Sequence, residues 1–231
     1  MIGVCEMNIQ RPGQKILTIG NPGLSVTGPR GGAAIPWYLA GGVSANSVLS
    51  AFQPIGAANY AASLLDLSGN GNNAIEGASR DPSKWDAANG WEMYSTTNGT
   101  TLQTSHKGAV GMTGIARFSN AGGAFVFGVS DRWTIDPSGT GVTYYNNGQK
   151  IISPGMTNGV VALTANKGYR NGALDTNELG NRTDLGNHYI GIGSRDGFSF
   201  NFLGYIQAIA FYNTTLTSDQ VAAISAAMAA L

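Results

Sequence analysis

The sequence predicts an all-β protein built as a sandwich of two antiparallel sheets. From Trp85 onwards, short runs of alternating apolar and small or polar residues repeat along the chain. Turn dipeptides separate these runs, with Asn-Gly at 89–90, 98–99, 147–148, 158–159 and 171–172, and Asp-Gly at 196–197. Both central residues of a type I′ hairpin turn need positive φ, which these residues adopt readily. Glycine is abundant, at 34 of 231 residues, and follows no collagen period. Many short strands joined by tight turns are typical of a sandwich.

Three runs show the strand pattern most clearly. In AFVFGV (124–129), Phe125, Phe127 and Val129 share one face, and in HYIGIG (188–193) the isoleucines do the same. The run GYIQAIAFY (204–212) is mostly apolar on both faces. We therefore expect 204–212 to be a central strand that is covered on both sides.

One helix is predicted at the C-terminus of the chain. Thr217 is placed to be its N-cap, and Gln220 three residues later completes a capping box. An apolar stripe then follows at helical spacing, formed by Val221, Ile224, Met228 and Leu231. Two interpretations remain open, because the stripe can dock on its own sandwich or contact another subunit.

Residues 1–60 differ from the rest and predict a Gly/Pro-rich extended arm with a connecting segment. The arm has no sustained strand or helix period, apart from one short strand expected at 15–19. Short helical pieces are expected at 47–52 and 57–65, and residues 61–231 are expected to form the sandwich domain. An arm with little core of its own needs a surface to hold it, on its own domain or on a neighbouring chain.

Composition excludes several function classes. The 13 basic and 13 acidic residues give no net charge and no basic patch, so nucleic-acid binding is not expected. Cys5 is the single cysteine, which rules out a disulfide within the chain. We expect neither a signal peptide nor membrane insertion, because no basic-then-apolar leader and no apolar run of about 20 residues is present.

Four landmarks resemble LamG-like modules of the concanavalin A-like lectin/glucanase superfamily. The segment DLSGNGNNA (66–74) is similar to the Asp-x-Ser-Gly-Asn-Gly-Asn signature of these modules. The segments at 90–104, 160–175 and 202–224 look like the strand–turn–strand element, the hairpin and the closing strand with its Leu-Thr-x-x-Gln helix start. The resemblance covers residues 60–231 and implies a two-sheet antiparallel jelly-roll sandwich.

The front of the chain adds a second resemblance. The order PWYLAGG (36–42), AFQPIGAANYAASLLDLSGNG (51–71) and WDAANGW (85–91) is similar to LamG-like modules carried by tailed-bacteriophage virion proteins. This resemblance implies a structural protein located in the virion, as capsid decoration or as part of a tail or fibre.

The loop DLSGNGN leaves two interpretations open. Asp66, Ser68 and Asn70 occupy the first, third and fifth positions of a calcium loop, but the twelfth position holds Gly77 instead of the glutamate of an EF-hand. With Asn72, these residues could form a weak calcium site, or they could cap their own backbone in Asx-type turns. No other cofactor is expected.

Catalytic carboxylates are not apparent in the sequence. Glycoside hydrolysis usually needs two positioned carboxyl groups, and the glucanases of the superfamily resembled here carry theirs on one strand. The four glutamates are scattered, and Asp131 and Asp136 are five apart, which places them on opposite faces of an unbroken strand. We therefore expect no enzymatic activity.

Glycan binding is the remaining chemistry that the residues suggest. Lectin sites combine aromatic faces with amide and carboxylate hydrogen bonding, and the segments DRWTID (131–136) and VTYYNNGQ (142–149) carry both. The candidate residues are Trp133, Tyr144, Tyr145 and Asn146. The alternative is that Trp133 and Tyr144 belong to the core and that Asn146 begins a turn.

Two function hypotheses follow. In the first, the protein is a non-enzymatic virion component that binds copies of itself and other virion proteins through its arm, and displays a sandwich able to bind carbohydrate. In the second, it is an adhesin or lectin module that recognises a host-surface polysaccharide.

Overall fold

Two antiparallel β-sheets contain most of the residues described by the computed structural model. The described residues are 7–10, 14–17, 35–77, 84–94, 102–130, 132–146, 149–176, 179–180, 184–195 and 202–231. The chain forms two compact units, Met1–Ile35 and Pro36–Leu231.

The elements of the described residues are as follows. Two 3-10 turns span Trp37–Gly42 and Ala45–Ser47, and two α-helices are α1 (Tyr60–Ser63) and α2 (Ser218–Ala229). The strands in chain order are β1 (Met7–Gln10), β2 (Gln14–Leu17), β3 (Val48–Phe52), β4 (Ile75–Glu76), β5 (Trp85–Asp86), β6 (Gly90–Met93), β7 (Leu102–Lys107), β8 (Thr113–Gly123), β9 (Phe127–Val129), β10 (Trp133–Pro137), β11 (Val142–Asn146), β12 (Gln149–Ser153), β13 (Gly159–Leu163), β14 (Gly168–Arg170), β15 (Ala173–Thr176), β16 (Tyr189–Ile192) and β17 (Leu203–Tyr212).

The first unit contains one antiparallel hairpin. Strands β1 and β2 pair with Met7 opposite Leu17 and Gln10 opposite Gln14. The strand expected at 15–19 therefore overlaps β2, whereas β1 was not expected. The remainder of the predicted arm up to residue 34 lies outside the described residues.

The sandwich consists of a seven-stranded sheet and an eight-stranded sheet. The seven-stranded sheet has the order β12-β11-β10-β9-β16-β7-β4. The eight-stranded sheet has the order β15-β14-β13-β8-β17-β6-β5, and β3 also pairs with β17. Strand β17 meets β6 over Gly204–Ile206 and meets β3 over Ile209–Tyr212, while β8 runs along its other edge. The two-sheet antiparallel sandwich is thus confirmed.

Aromatic and branched side chains fill the space between the sheets. This core includes Trp91, Phe118, Phe127, Phe202 and Phe211, each at most 1% exposed. Full burial of one such side chain stabilises the fold by about 2–3 kcal/mol.

A second apolar layer covers the outer face of the eight-stranded sheet. Helix α2 buries Val221, Ile224 and Met228 there, in a cluster that also contains Trp37 and Tyr212. The predicted capping box is present, because Thr217 Oγ1 accepts from Gln220 N and Gln220 Oε1 accepts from Thr217 N. The short C-terminal helix is therefore confirmed, and it docks on its own sandwich. Strand β17 is covered on both sides, as predicted.

The segment before the sandwich differs from the sequence-based expectation. Residues 48–52, for which a helical piece was predicted, form strand β3, with Phe52 opposite Ile209 and Ala51 opposite Ala210. The short helix predicted within 57–65 is present as α1. Burial beside β17 overrides the weak helical preference of 48–52. Residues 36–60 belong to the sandwich unit, so the division of the chain lies at 35/36, whereas the predicted boundary lay at 60/61.

His106 in β7 gives the sandwich a specific acid sensitivity. Neither ring nitrogen has a hydrogen-bond partner among the described residues, and the ring centroid lies 6.0 Å from that of Phe211. Burial lowers the pKa of His106 to about 4, although the nearby Asp66 carboxylate acts in the opposite direction. The unfolded chain therefore binds a proton at His106 at a higher pH than the folded chain does.

We expect His106→Leu to reduce the acid sensitivity of the fold. The stability contributed by a neutral His106 is fully present above the unfolded pKa of about 6.5 and is lost as pH falls towards the folded value. Between about pH 7 and about pH 4.5, the variant should lose roughly 2 kcal/mol less stability than the wild-type protein, measured by urea unfolding. His188→Leu makes the same substitution at an exposed position and serves as the matched control. An identical pH dependence in His106→Leu and wild type would contradict this account.

Candidate functional site

The four residues predicted to bind glycan are divided between the two faces of one sheet. Strand alternation turns Tyr144 and Asn146 towards the core, and Tyr145 towards the outside. Trp133 on β10 lies directly opposite Asn146 on β11 and also points inwards. Trp133 is 2% exposed, and Tyr144 and Asn146 are 0% exposed. Trp133 and Tyr144 therefore belong to the core, which was the alternative interpretation, and the four candidates do not form one surface because neighbouring positions along a strand point to opposite faces.

Trp133 is fixed by contacts on the inner face of the sheet. Its ring centroid lies 5.2 Å from that of Phe127, and its Nε1 donates to Thr164 O at 3.3 Å. Gly114 on the opposite sheet permits this packing, because a Cβ there would lie only 2.7 Å from the Trp133 ring. The side chain of Trp133 is consequently held in one position inside the sandwich.

Tyr144 connects the two sheets. Its hydroxyl donates to Asp175 Oδ2 at 2.9 Å, and Arg170 Nε forms an ion pair with the same oxygen at 2.8 Å. Burial, together with the Asp175 carboxylate, raises the pKa of Tyr144 far above its usual range. These contacts give Tyr144 a structural role.

Asn146 holds two loops and retains one unused acceptor. Its Nδ2 donates to the carbonyl oxygens of Ala165 and of Gly180, the latter at 2.8 Å. These two bonds fix which end of the amide is nitrogen. The oxygen, Oδ1, is buried and has no hydrogen-bond partner among the described residues.

A pocket of about 200 Å³ lies beside Trp133 and Asn146. The loop that connects β7 to β8 forms one side of it, and this loop is anchored by bonds from Gly108 N to His188 O and from Thr215 Oγ1 to Gly111 O. Its other walls are apolar, and the lining side chains besides Trp133 and Asn146 are Ala109, Val110, Met112, Ala165 and Leu185. Met112 and Leu185 are buried, whereas Val110 at the rim is 53% exposed. The arrangement is a preformed apolar pocket with one buried polar acceptor.

Sequence reasoning identified two residues of this pocket and missed the others. Trp133 and Asn146 were candidates, but Met112, Ala165 and Leu185 come from loops that are distant in sequence. No local pattern distinguishes them from ordinary loop residues. The run GAVGM (108–112), which lies between β7 and β8, was the available signal, because an apolar loop is unusual at a surface.

Tyr145 belongs to a separate cluster on the outer face of the seven-stranded sheet. Its ring makes an edge contact with Phe125 at 5.6 Å, and Lys150 Nζ lies 5.6 Å from the ring centroid. Asp136 is on the same face, where burial raises its pKa to about 6 while Lys150 opposes the shift. Asp131, the other acidic residue considered in this region, lies outside the described residues.

The loop at 66–73 is tied together by its own hydrogen bonds. Asp66 Oδ1 accepts from Ala51 N at 3.0 Å and from Ser68 N at 2.9 Å. Asp66 Oδ2 accepts from Ser68 Oγ at 2.8 Å and from Asn72 N at 3.0 Å. A carboxylate has about four acceptor sites, and all four directions are engaged here. This geometry favours the turn interpretation over the calcium interpretation.

The same loop satisfies the free edge of β3. Asn70 Nδ2 donates to Val48 O at 2.6 Å, and Asn72 Nδ2 donates to Leu49 O at 2.7 Å. Leu67 N also donates to Ala51 O at 2.8 Å. An unpaired strand edge exposes backbone donors and acceptors that can pair with other chains. The 66–73 loop therefore shields the edge of β3 from pairing with another chain.

Among the described residues, no group of three or more His, Cys, Asp or Glu side chains is arranged to hold a metal ion. None of their helices has the length and apolar character required to cross a bilayer.

Comparison with known proteins identifies the fold. No protein-family model matches the sequence, and no curated protein matches it. Among solved structures, the chain is similar to the botulinum neurotoxin serotype D binding domain, with a TM-score of 0.52, 13% identity, and coverage of 79% of this chain and 52% of that chain. The same toxin domain in complex with N-acetylneuraminic acid gives a TM-score of 0.51, 11% identity, and coverage of 79% and 51%.

A third structure concerns botulinum neurotoxin type C, whose cell entry is described as dependent upon interaction with two ganglioside molecules. It has a TM-score of 0.50, 14% identity, and coverage of 80% of this chain and 52% of that chain. The chain therefore spans about half the length of these binding domains. At such low identity the likeness shows the fold alone, a sandwich of two antiparallel β-sheets. These neighbours include nothing specific to bacteriophages.

We expect Asp66→Ala to destabilise the sandwich without any connection to calcium. The substitution leaves the backbone N–H groups of Ala51, Ser68 and Asn72 without their acceptor, which should lower the free energy of unfolding by about 2 kcal/mol. Ser68→Ala removes the Ser68 hydroxyl but keeps the Asp66 carboxylate. It should lower the free energy of unfolding by about 0.5–1 kcal/mol. Both values can be measured by urea unfolding with and without added calcium. A calcium-dependent rise in wild-type stability that is lost in Asp66→Ala would show that the loop binds the ion.

Proposed function

We propose that this chain is a non-enzymatic carbohydrate-binding module. The observation that carries the proposal is the preformed pocket of about 200 Å³, which Trp133 and Asn146 line together with apolar loop side chains. Ligand sites in proteins are typically apolar cavities with a few fixed polar groups that orient the ligand. Because Asn146 and Trp133 are both held by other contacts, ligand binding there requires little reordering of side chains.

The structural neighbours support the proposal at the level of fold. Their descriptions name N-acetylneuraminic acid and gangliosides as ligands of the toxin domains. Only about half of each toxin domain has a counterpart in this chain. We therefore place the sugar site at the pocket because of the pocket's own geometry.

The environment of Asp136 supports the non-enzymatic part of the proposal. Glycoside hydrolysis generally uses two carboxyl groups that flank the bond to be cleaved. The charged groups around Asp136 include Lys150, and its raised pKa arises mainly from burial. Asp175, another buried carboxylate, is engaged by Tyr144 and Arg170. Neither carboxylate lines the pocket.

A role in a virion is the second function that we propose, and one observation favours it. Residues 1–35 and 36–231 form two units, and we assign to the first unit the binding of other virion proteins or copies of the same chain. The family resemblance of the sequence supplies the rest of the argument. A virion protein with a glycan-binding sandwich would recognise host-surface polysaccharide, so the two functions are compatible.

We expect glycan binding to depend on the pocket rather than on the outer face. On a glycan array, Ala165→Leu should weaken binding at least about tenfold, because the larger side chain fills the pocket. The backbone carbonyl that accepts from Asn146 is retained in this variant. Ala173→Leu makes the same substitution at an exposed position outside the pocket and should bind like wild type. Absence of any glycan ligand for the wild-type protein would contradict the proposal.

We expect deletion of residues 1–35 to abolish incorporation into virions while the sandwich stays folded. The core of the second unit is built within residues 36–231, so its near-ultraviolet circular dichroism should be unchanged. Incorporation can be measured by mass spectrometry of purified particles. Normal incorporation of the truncated chain would show that the first unit does not carry the assembly function.

A further inference from the structure

The pocket presents apolar side chains to a ligand. Asn146 is the one polar side chain in its lining, and Asn146 is 0% exposed, so a ligand does not reach it. The surface that a ligand can touch comes mainly from Ala109 and Val110, which are exposed, and from the half-buried Ala165. Leu185, at 4% exposed, lies deeper. A group that enters the pocket therefore meets mostly hydrocarbon.

A polar pair borders the same pocket. Asp184 is bonded to Leu185 and Arg132 is bonded to Trp133, so each is the chain neighbour of a lining residue. Arg132 Nη1 donates to Asp184 Oδ2 at 3.2 Å, and Gly186 N donates to Asp184 Oδ1 at 2.6 Å. The side chains of Asp184 and Arg132 are 72% and 35% exposed. Unlike the amide of Asn146, both groups are accessible to a ligand at the rim.

This rim suits hydroxyl groups better than charged groups. A carboxylate accepts hydrogen bonds and a guanidinium donates them, whereas a hydroxyl can do both. Because Asp184 and Arg132 carry opposite charges, a charged ligand group is attracted by one of them and repelled by the other. The rim therefore favours a neutral ligand that carries several hydroxyls.

The volume and the walls of the pocket limit which part of such a ligand enters. At about 200 Å³, the pocket is somewhat larger than an apolar cavity of about 150 Å³ that holds benzene. It is smaller than the roughly 300–1,000 Å³ of sites for drug-sized ligands. One edge of a sugar ring fits, and that edge must be apolar, because a hydroxyl placed there would exchange water for hydrocarbon.

We propose that the pocket selects a 6-deoxyhexose, such as L-rhamnose or L-fucose. In these sugars a methyl group replaces the CH₂OH group on C5, so the C5–C6 edge of the ring is hydrocarbon. The methyl group packs against Ala109, Val110 and Ala165, and the ring hydroxyls lie at Asp184 and Arg132 on the rim. This inference rests on the proposed carbohydrate-binding function and specifies its ligand class.

Saturation-transfer NMR on the full chain tests the inference with two matched pairs of sugars. The pairs are L-rhamnose with L-mannose, and L-fucose with L-galactose, and the members of each pair differ only in the hydroxyl on C6. We expect the C6 methyl to receive the strongest saturation. The deoxy sugar should bind at least about tenfold more tightly than its partner, since an apolar pocket can reject an added hydroxyl by up to about 100-fold.

Variants separate the pocket from its rim. Ala165→Leu fills the pocket and should abolish saturation of the C6 methyl, whereas Ala173→Leu, at an exposed position outside the pocket, should preserve it. Ala109→Leu is a second filling variant if Ala165→Leu does not fold. Asp184→Asn keeps an oxygen for Gly186 N but removes the charge. It should weaken both sugars of a pair by a similar factor and leave the preference for the deoxy sugar unchanged.

The outcomes distinguish this inference from the function on which it rests. Equal binding of L-mannose and L-rhamnose, lost in Ala165→Leu, would overturn the selectivity and leave carbohydrate binding at the pocket intact. Binding of the deoxy sugars that persists in both filling variants would place the site elsewhere and overturn the inference. If none of the four sugars binds but a glycan on the array does, the inference fails and the function stands. If the array also shows no ligand, both fail.

Discussion

The side-chain amide of Asn146 is the interaction on which the candidate site depends. By donating to the carbonyls of Ala165 and Gly180, it joins the end of β11 to two loops that are distant in sequence. Asn146 itself is fully buried, so its role is to hold these two loops in place beside Trp133. The shape of the pocket thus depends on the bonds made by one amide nitrogen.

The sandwich protects its surfaces with elements that lie outside the two sheets. Helix α2 and the 3-10 turn at Trp37–Gly42 cover the outer face of the eight-stranded sheet, so β17 is buried on both sides. The 66–73 loop engages backbone groups of β3 through Asp66, Asn70 and Asn72. Unlike these covered surfaces, the pocket beside Trp133 is apolar, concave and open to solvent. We therefore assign the binding function to this pocket.

Local patterns allowed the fold class to be predicted, whereas the site depends on long-range register. The capping box of Thr217 and Gln220 and the doubly apolar run at 204–212 are local signals, and both were confirmed. Strand β3 was predicted as helix because its partner, β17, lies near the other end of the chain. Alternation separates Tyr144 from Tyr145, but it does not say which of them faces the core. The pairing of Asn146 with loop carbonyls leaves no local signal at all, so its unused oxygen could be found only in the structure.

The most direct test of the central claim is a crystal structure of the full chain with a sugar bound. The account predicts the sugar at the pocket that Trp133, Met112 and Leu185 line. A sugar bound instead on the outer face, against Tyr145 and Lys150, would contradict it.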